Sequence, residues 1–226
     1  GQNGQSGFGC AAALVRGDGG IKLQLTFSNS AQVPLSGFAI QVNKNPFGLA
    51  PAAALNVAPV SPGGSSDATL DMNPGVMLSN TPPTNPLFLQ VAIKNSLDIF
   101  YFNVPFELPA VLPEANFTRD QFTQVWQKVG ETGQHVIVGA CDTPLNIDGA
   151  KSKLAMDNIG FIAQRQADGE QFAYFACKTT SGIEVFCELN LKQGGTAIRM
   201  GTRTEVAAII PLFEAAVCKR LGVQMR

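Results

Sequence analysis

Between residues 10 and 108 the apolar positions recur with period two in short runs, and turn-forming residues interrupt them before a helical period can develop. The clearest run has Ile21, Leu23, Leu25 and Phe27 alternating with Lys22, Gln24 and Thr26, which predicts a strand with one buried and one wet face. An apolar run at 10–15 precedes it, and Arg16-Gly17-Asp18-Gly19-Gly20 between the two reads as a hairpin turn. The Arg-Gly-Asp triplet is therefore taken as turn chemistry rather than as an adhesion motif. Further strands are predicted at 38–42, 54–60, 67–72, 87–94 and 99–104. Eight prolines from Pro46 to Pro86 confine the segments there to edges and connections. In the last of these strands Tyr101 shares its parity with Ile99 and Asn103, while Phe100 and Phe102 take the other side, and either side could be the core. This many short strands in about 100 residues predict an immunoglobulin-like two-sheet β-sandwich.

After Pro109 and Pro113 the pattern changes, which divides the chain into a β-sandwich over 8–112 and a second unit over 113–226. Thr118 and Gln121 have the spacing of a capping box, and Phe122, Val125, Trp126 and Val129 follow at i, i+3, i+4 and i+7. The result is an amphipathic helix whose stripe is centred on Phe122, Val125 and Val129. Trp126 lies at the edge of that stripe, within about 20° of Arg119. This geometry alone leaves two readings of the tryptophan: a ring completing the core, or a half-exposed ring available to a ligand.

Strands are then predicted at 134–138 and 158–165, a helical turn at 148–155, and a hairpin with arms 171–178 and 183–192. In the hairpin, Val185, Cys187, Leu189 and Leu191 should face the core with Ala173, Phe175 and Cys177. The opposite face then carries Phe172, Tyr174, Phe186 and Glu188, aromatics and a carboxylate where a solvated surface should be polar. A last helix is predicted over 205–221, kinked at Pro211. The second half is thus α+β, an antiparallel sheet with flanking helices.

Composition narrows the possible chemistry. Apolar residues make up 45% and charged ones 15% of 226 residues, enough for sizeable cores. Sixteen basic and seventeen acidic residues with no basic run offer nothing for nucleic acid or an anionic membrane. The five cysteines show no metal or disulfide spacing, and no apolar run is long enough to span a bilayer. Residues 1–7 read as the end of a flexible linker to a larger chain. His135, the only histidine, has no nucleophile motif beside it, and the glycine pairs match neither phosphate-binding pattern. No catalytic residue, metal site or cofactor is nominated, and the chain is expected not to be an enzyme.

Several blocks resemble the C-terminal appendage, or ear, domain of the β-adaptins of clathrin adaptor complexes. They are Phe38-Ala39-Ile40-Gln41-Val42-Asn43-Lys44-Asn45-Pro46-Phe47-Gly48, Leu89-Gln90-Val91-Ala92-Ile93-Lys94-Asn95 running on to Asp98-Ile99-Phe100-Tyr101-Phe102, and Arg119-Asp120-Gln121-Phe122 to Trp126. Ser152-Lys153-Leu154 and Gly182-Ile183 to Glu188-Leu189 continue the likeness in the same order. The resemblance implies a β-sandwich joined to an α+β platform, and a non-enzymatic role in vesicle-mediated transport. Such a module sits on a hinge at clathrin-coated membranes of the plasma membrane or the trans-Golgi network and endosomes. It recruits accessory and cargo-adaptor proteins, assists clathrin, and belongs with other adaptor subunits through an N-terminal trunk. On the platform, the resemblance places a peptide-binding groove at Trp126, Tyr174, Glu188, Arg119 and Arg165. There an amphipathic helix with Phe and Leu anchors would lie, its arginine paired to Glu188. A second groove carboxylate of the family falls on Gln134, with Glu131 the nearest acid, and a lysine after the tryptophan falls on Gln127. A second site, for short Phe-containing extended motifs, falls on Tyr101, Gln90 and Lys94. The alternative is a structural or oligomerisation domain that hides the same aromatic face in a self-interface.

Overall fold

The computed structural model describes residues 7–18, 20–76 and 87–225, so the expected linker over 1–7 lies, but for Gly7, outside the described residues. The chain divides into two units between Ala110 and Val111. The division precedes Pro113 because Val111 and Leu112 already belong to the second unit. The Val111 carbonyl accepts from the Thr180 N–H at 2.9 Å, and the Leu112 carbonyl from Asn158 Nδ2 at 3.0 Å.

The first unit is the all-β half. Strands β1 (Phe8–Gly17), β2 (Gly20–Asn29), β3 (Ala39–Val42), β4 (Ala50–Pro51), β5 (Ser65–Asn73), β6 (Leu87–Lys94) and β7 (Ile99–Phe106) follow in order. They form a four-stranded sheet, β1-β2-β5-β4, and a three-stranded sheet, β3-β6-β7. The alternation in β2 is obeyed: Ile21, Leu23, Leu25 and Phe27 are each at most 2% exposed. Their core is shared with Leu89, Val91 and Ile93 of β6 and closed by a ring cluster in which Phe8 lies 4.7 Å from Phe100 and Phe27 5.0 Å from Phe38. Phe100, Val104 and Phe106 are buried, which settles the parity of β7 and turns Tyr101 outward. No strand forms at 54–60. Pro59 and Pro62 flank the single bridge that Val60 makes with Leu35, and each lacks the N–H that a ladder would use. Asn29, 2% exposed, holds this corner by donating to the carbonyls of Val33 and Val60 and accepting from Ala31 N–H.

The second unit is the α+β half. Helix α1 (Arg119–Val129) leads into β8 (His135–Cys141), α2 (Ile147–Ala155), β9 (Gly160–Ala167), β10 (Glu170–Lys178), β11 (Glu184–Lys192), β12 (Ala197–Arg203), α3 (Ile210–Leu221) and β13 (Val223–Met225). The six strands form one antiparallel sheet in the order β13-β8-β12-β11-β10-β9. One face carries Ala173, Phe175, Cys177, Val185, Cys187 and Leu189, each no more than 1% exposed, and is covered by α2 and α3. A bidentate pair, Arg220 Nε and Nη2 on the Asp157 carboxylate at 2.6 and 2.5 Å, ties the end of α3 to the turn after α2.

The last helix differs from its expected form. It begins at Ile210 rather than 205, after a short 3-10 turn over Ala207–Ile209, and Pro211 stands in its first turn. There the missing N–H costs nothing, so the proline starts the helix instead of kinking it. Gly222, with φ +73°, ends it in the left-handed conformation.

Candidate functional site

The site is built on the second face of the platform sheet, where α1 crosses β9–β12. The capping box forms as its sequence indicates: Gln121 N–H donates to Thr118 Oγ1 at 3.2 Å, and Thr118 N–H donates to Gln121 Oε1 at 2.8 Å. With its start fixed, α1 presses Phe122 into a cluster with Ala176 and Phe186. The Phe122 ring meets Phe186 edge-on at 5.5 Å, and Phe117 approaches Phe186 from the preceding segment at 5.3 Å. Phe186 is therefore 0% exposed and not part of an open aromatic face, contrary to the strand-parity expectation. Alternation assigns a side chain to a face; it does not say what covers that face.

Trp126 is partly buried, one helical turn beyond Phe122, and stacks on it at 5.0 Å and 19°. The Arg203 guanidinium lies 4.1 Å from the Trp126 ring. Arg203 Nη1 also donates to the Trp126 carbonyl and Nη2 donates to Gln134 Oε1 at 2.7 Å. At 6% exposure, Arg203 is a buried cation whose polar contacts are a carbonyl and an amide rather than a carboxylate, and burial lowers its pKa below the usual arginine range. Sequence reasoning missed this residue, because it is contributed by β12, a strand that was not predicted.

Between α1 and the sheet a groove of about 410 Å³ opens, with Phe122, Trp126, Ile162 and Tyr174 as its apolar floor. Arg119, Arg165 and Glu188 stand around it, with Thr123 and Gln127 on the helix side. Ile162 reaches the floor because the β9–β10 register shifts between Tyr174 and Phe175, leaving Ile162 as the extra residue of a bulge. Tyr174 and Glu188 are direct cross-strand partners. Arg165 Nε donates to the Tyr174 hydroxyl at 2.6 Å, and this bond raises the Arg165 pKa, while burial pushes the Tyr174 phenol up. Glu188 is not a free carboxylate: Oε2 is 3.8 Å from Arg165 Nη2 and Oε1 is 3.7 Å from Arg199 Nη1. Arg199, like Arg203, is a residue that sequence reasoning missed.

Five of the expected groove residues, Trp126, Tyr174, Glu188, Arg119 and Arg165, thus meet in one depression. Gln134 does not line it. Its side chain is turned onto Arg203 and lies so close to Gly201 that a Cβ there would come within 2.0 Å of Gln134 Nε2. Glycine at 201 is what admits the amide. His135 plays no part in the groove: Nδ1 is 2.7 Å from Oε1 of the buried Glu214, joining β8 to α3 on the other face.

In the first unit Tyr101 is 76% exposed, and Gln90 and Lys94 share its outward sheet face. Asn43 Nδ2 donates to Gln90 Oε1 at 3.3 Å. Phe88 and Ile99, both 43% exposed, extend this face, and Phe88 had not been singled out in the sequence. A second concavity, of about 420 Å³, lies along β1 and the end of β7 and includes Ala12, Leu14, Pro105 and Pro109. It matches the groove in size but brings together neither an aromatic floor nor a cluster of like charges.

Residues 112–221 match the family described as "Beta2-adaptin appendage, C-terminal sub-domain". Over 199 residues the chain is 34% identical to the rat protein named AP-1 complex subunit beta-1, covering 87% of this chain and 21% of that one. It is 35% identical over 190 residues to the human protein of that name, covering 83% and 20% of the two chains. The identity to the AP-1 complex subunit beta of Dictyostelium discoideum is 27% over 208 residues, covering 90% and 22%. The chain thus spans about a fifth of the length of these relatives.

Proposed function

The chain belongs to the β-adaptin appendage family, and from that premise we propose that it is a non-enzymatic protein-interaction module with two separate peptide sites. The observation that carries the reading is the groove: a solvent-open aromatic floor of Trp126 and Tyr174, supported from beneath by Phe122 and edged by charge. An amphipathic helix laid across it would bury Phe and Leu anchors on those rings, the helix-in-groove mode of recognition. Arg119, Arg165 and Glu188 orient the peptide, and Gln134 acts indirectly by holding Arg203 against Trp126. The second site is the outward face around Tyr101, Gln90 and Lys94, where a short extended Phe-containing motif would lie beside an exposed tyrosine.

In this reading the module serves a β subunit of a clathrin adaptor complex. It gathers accessory and cargo-adaptor proteins, assists clathrin assembly, and is joined to the other adaptor subunits by the rest of a longer chain. It acts peripherally at clathrin-coated membranes. No helix among the described residues is long and apolar enough to cross a membrane.

The test is affinity capture from cytosol with the wild-type domain and the variants Trp126→Ala, Tyr174→Val and Tyr101→Val. The platform variants are expected to lose partners with helical motifs, and Tyr101→Val a different set that includes clathrin-associated proteins. Unchanged capture by Trp126→Ala, or identical losses at both sites, would overturn the two-site reading. Self-assembly through the aromatic face would have used Phe172, Tyr174 and Phe186, but Phe186 is wholly covered by the chain's own α1 and the segment that precedes it. A concentration-independent monomer in analytical ultracentrifugation is the expected result.

A further inference from the structure

We infer that the extended-motif site around Tyr101 continues into the seam between β1 and β7, where the flank of the same segment adds as a strand to the free edge of β1 and seats aliphatic side chains. The inference rests on the reading of the Tyr101 face as a peptide site and adds what is read beyond the phenylalanine. β1 and β7 are edge strands of different sheets. They run side by side in the same direction: Phe8 meets Phe100 at 4.7 Å near one end, and Arg16 Nη1 donates to the Pro109 carbonyl at 3.3 Å near the other. The rings shut the seam at the first end. Toward the second it opens into the concavity of about 420 Å³.

The two walls of that concavity differ. β1 pairs with β2 alone, in an unbroken register from Phe8↔Asn29 to Gly17↔Gly20. Successive residues of a strand turn their N–H and C=O groups to opposite sides, so the seam side of β1 carries donors and acceptors with no ladder partner among the described residues. The β7 wall offers Pro105 and Pro109, neither of which has an N–H. Long edges are usually blunted by lysine, proline or a bulge, whereas this one reads Ala11-Ala12-Ala13-Leu14-Val15. Packing points the same way. Leu23 and Leu25 are at most 2% exposed, but their β1 partners Leu14 and Ala12 are only partly buried, so the sandwich interior is unsealed along this seam. An aliphatic side chain entering beside Ala12 would close it. The two charged residues there, Arg16 and Glu107, are of opposite sign, and their sum favours an uncharged occupant. The apolar surface is continuous with the Tyr101 face: Pro105 shares the outward parity of Tyr101, and its cross-strand partner Phe88 is 43% exposed. Pro105 stands four positions beyond Tyr101, about 13 Å along the strand, so an extended ligand with Phe on Tyr101 reaches the seam about four residues away. The occupant that fits is an uncharged extended flank with aliphatic residues at alternate positions.

The probes are synthetic peptides with one Phe and a flank of about eight residues on either side of it, carrying Val or Ser at alternate flank positions, titrated by fluorescence anisotropy. The better of the two Val-flanked peptides should bind wild-type protein roughly tenfold more tightly than its Ser counterpart, the surplus left after the segment is ordered. Ala13→Lys, at an exposed position of the edge, should abolish that gain and leave the Ser-flanked peptide unaffected. Amide hydrogen exchange on wild-type protein should show new protection over residues 11–15 with the Val flank and none with the Ser flank. Equal binding of the two flanks, a gain undiminished in Ala13→Lys, or no new protection in β1 would overturn the inference and leave the Tyr101 site standing. Self-association of the wild-type protein that Ala13→Lys removes would make the edge a contact between copies and overturn it as well. If no peptide binds in a manner abolished by Tyr101→Val, the reading of the Tyr101 face falls and the seam falls with it.

Discussion

Trp126 has two structural duties in addition to the binding role proposed for it, and they determine how its variants should be read. Its ring stacks on Phe122 and lies against the Arg203 guanidinium, whose polar contacts are a carbonyl and an amide rather than a carboxylate. Trp126→Ala removes both contacts, although Arg203 keeps its bond to the residue 126 carbonyl. A loss of about 1–2 kcal/mol is expected, measured by chemical denaturation, on top of the loss of groove ligands. Tyr101→Val makes the useful contrast: at 76% exposure the side chain contributes little packing, and stability should change by no more than about 0.5 kcal/mol. Helical periodicity placed Trp126 at the edge of its stripe beside Arg119, and that much was legible. Arg203 could not be read in the same way, because it lies 77 residues further along the chain and meets the tryptophan only through sheet pairing.

At the scale of the element, α1 is positioned by its first turn. The reciprocal bonds of Thr118 and Gln121 satisfy two N–H groups that the helix would otherwise leave open. Thr118→Ala should cost about 1 kcal/mol in thermal or denaturant unfolding and weaken groove ligands, since Phe122 and Trp126 are held by the same turn and the next. Thr118→Ser, which keeps the acceptor, should restore most of both. This helix was readable because capping and periodicity are local. Strand β12 was not: Ala-Ile-Arg-Met-Gly-Thr-Arg over Ala197–Arg203 has a central glycine and two arginines, and its extended form comes from lying between β11 and β8. The predicted strand at 54–60 failed for the converse reason, an apolar stretch with prolines beside it and no complete partner ladder.

Across the whole molecule, the packing sets the state of the thiols. All five cysteines are free, and burial pushes Cys177 up to about 12 and Cys10 and Cys218 up to about 11, from an ordinary 9.0. At pH 8 a thiol at 11 is about one part in a thousand thiolate, so native alkylation should be slow and become fast in denaturant. The raised values favour the neutral thiols of the folded state. Their contribution is fully present below pH 9.0 and is lost progressively as pH rises from 9.0 to about 11 for Cys10 and Cys218 and about 12 for Cys177, so the melting temperature should fall from pH 9.0 upward. The division into an all-β and an α+β half, the capped helix and the core face of the hairpin were determined by the sequence itself, since each follows from turn chemistry and the periods 2 and 3.6 acting over neighbouring residues. The covering of Phe186, the pairing of Glu188 with Arg165 and Arg199, and the placing of Arg203 under Trp126 were decided only by the tertiary structure. Each depends on which strands become neighbours and which face a helix closes, and period and propensity carry no information about partners so distant along the chain.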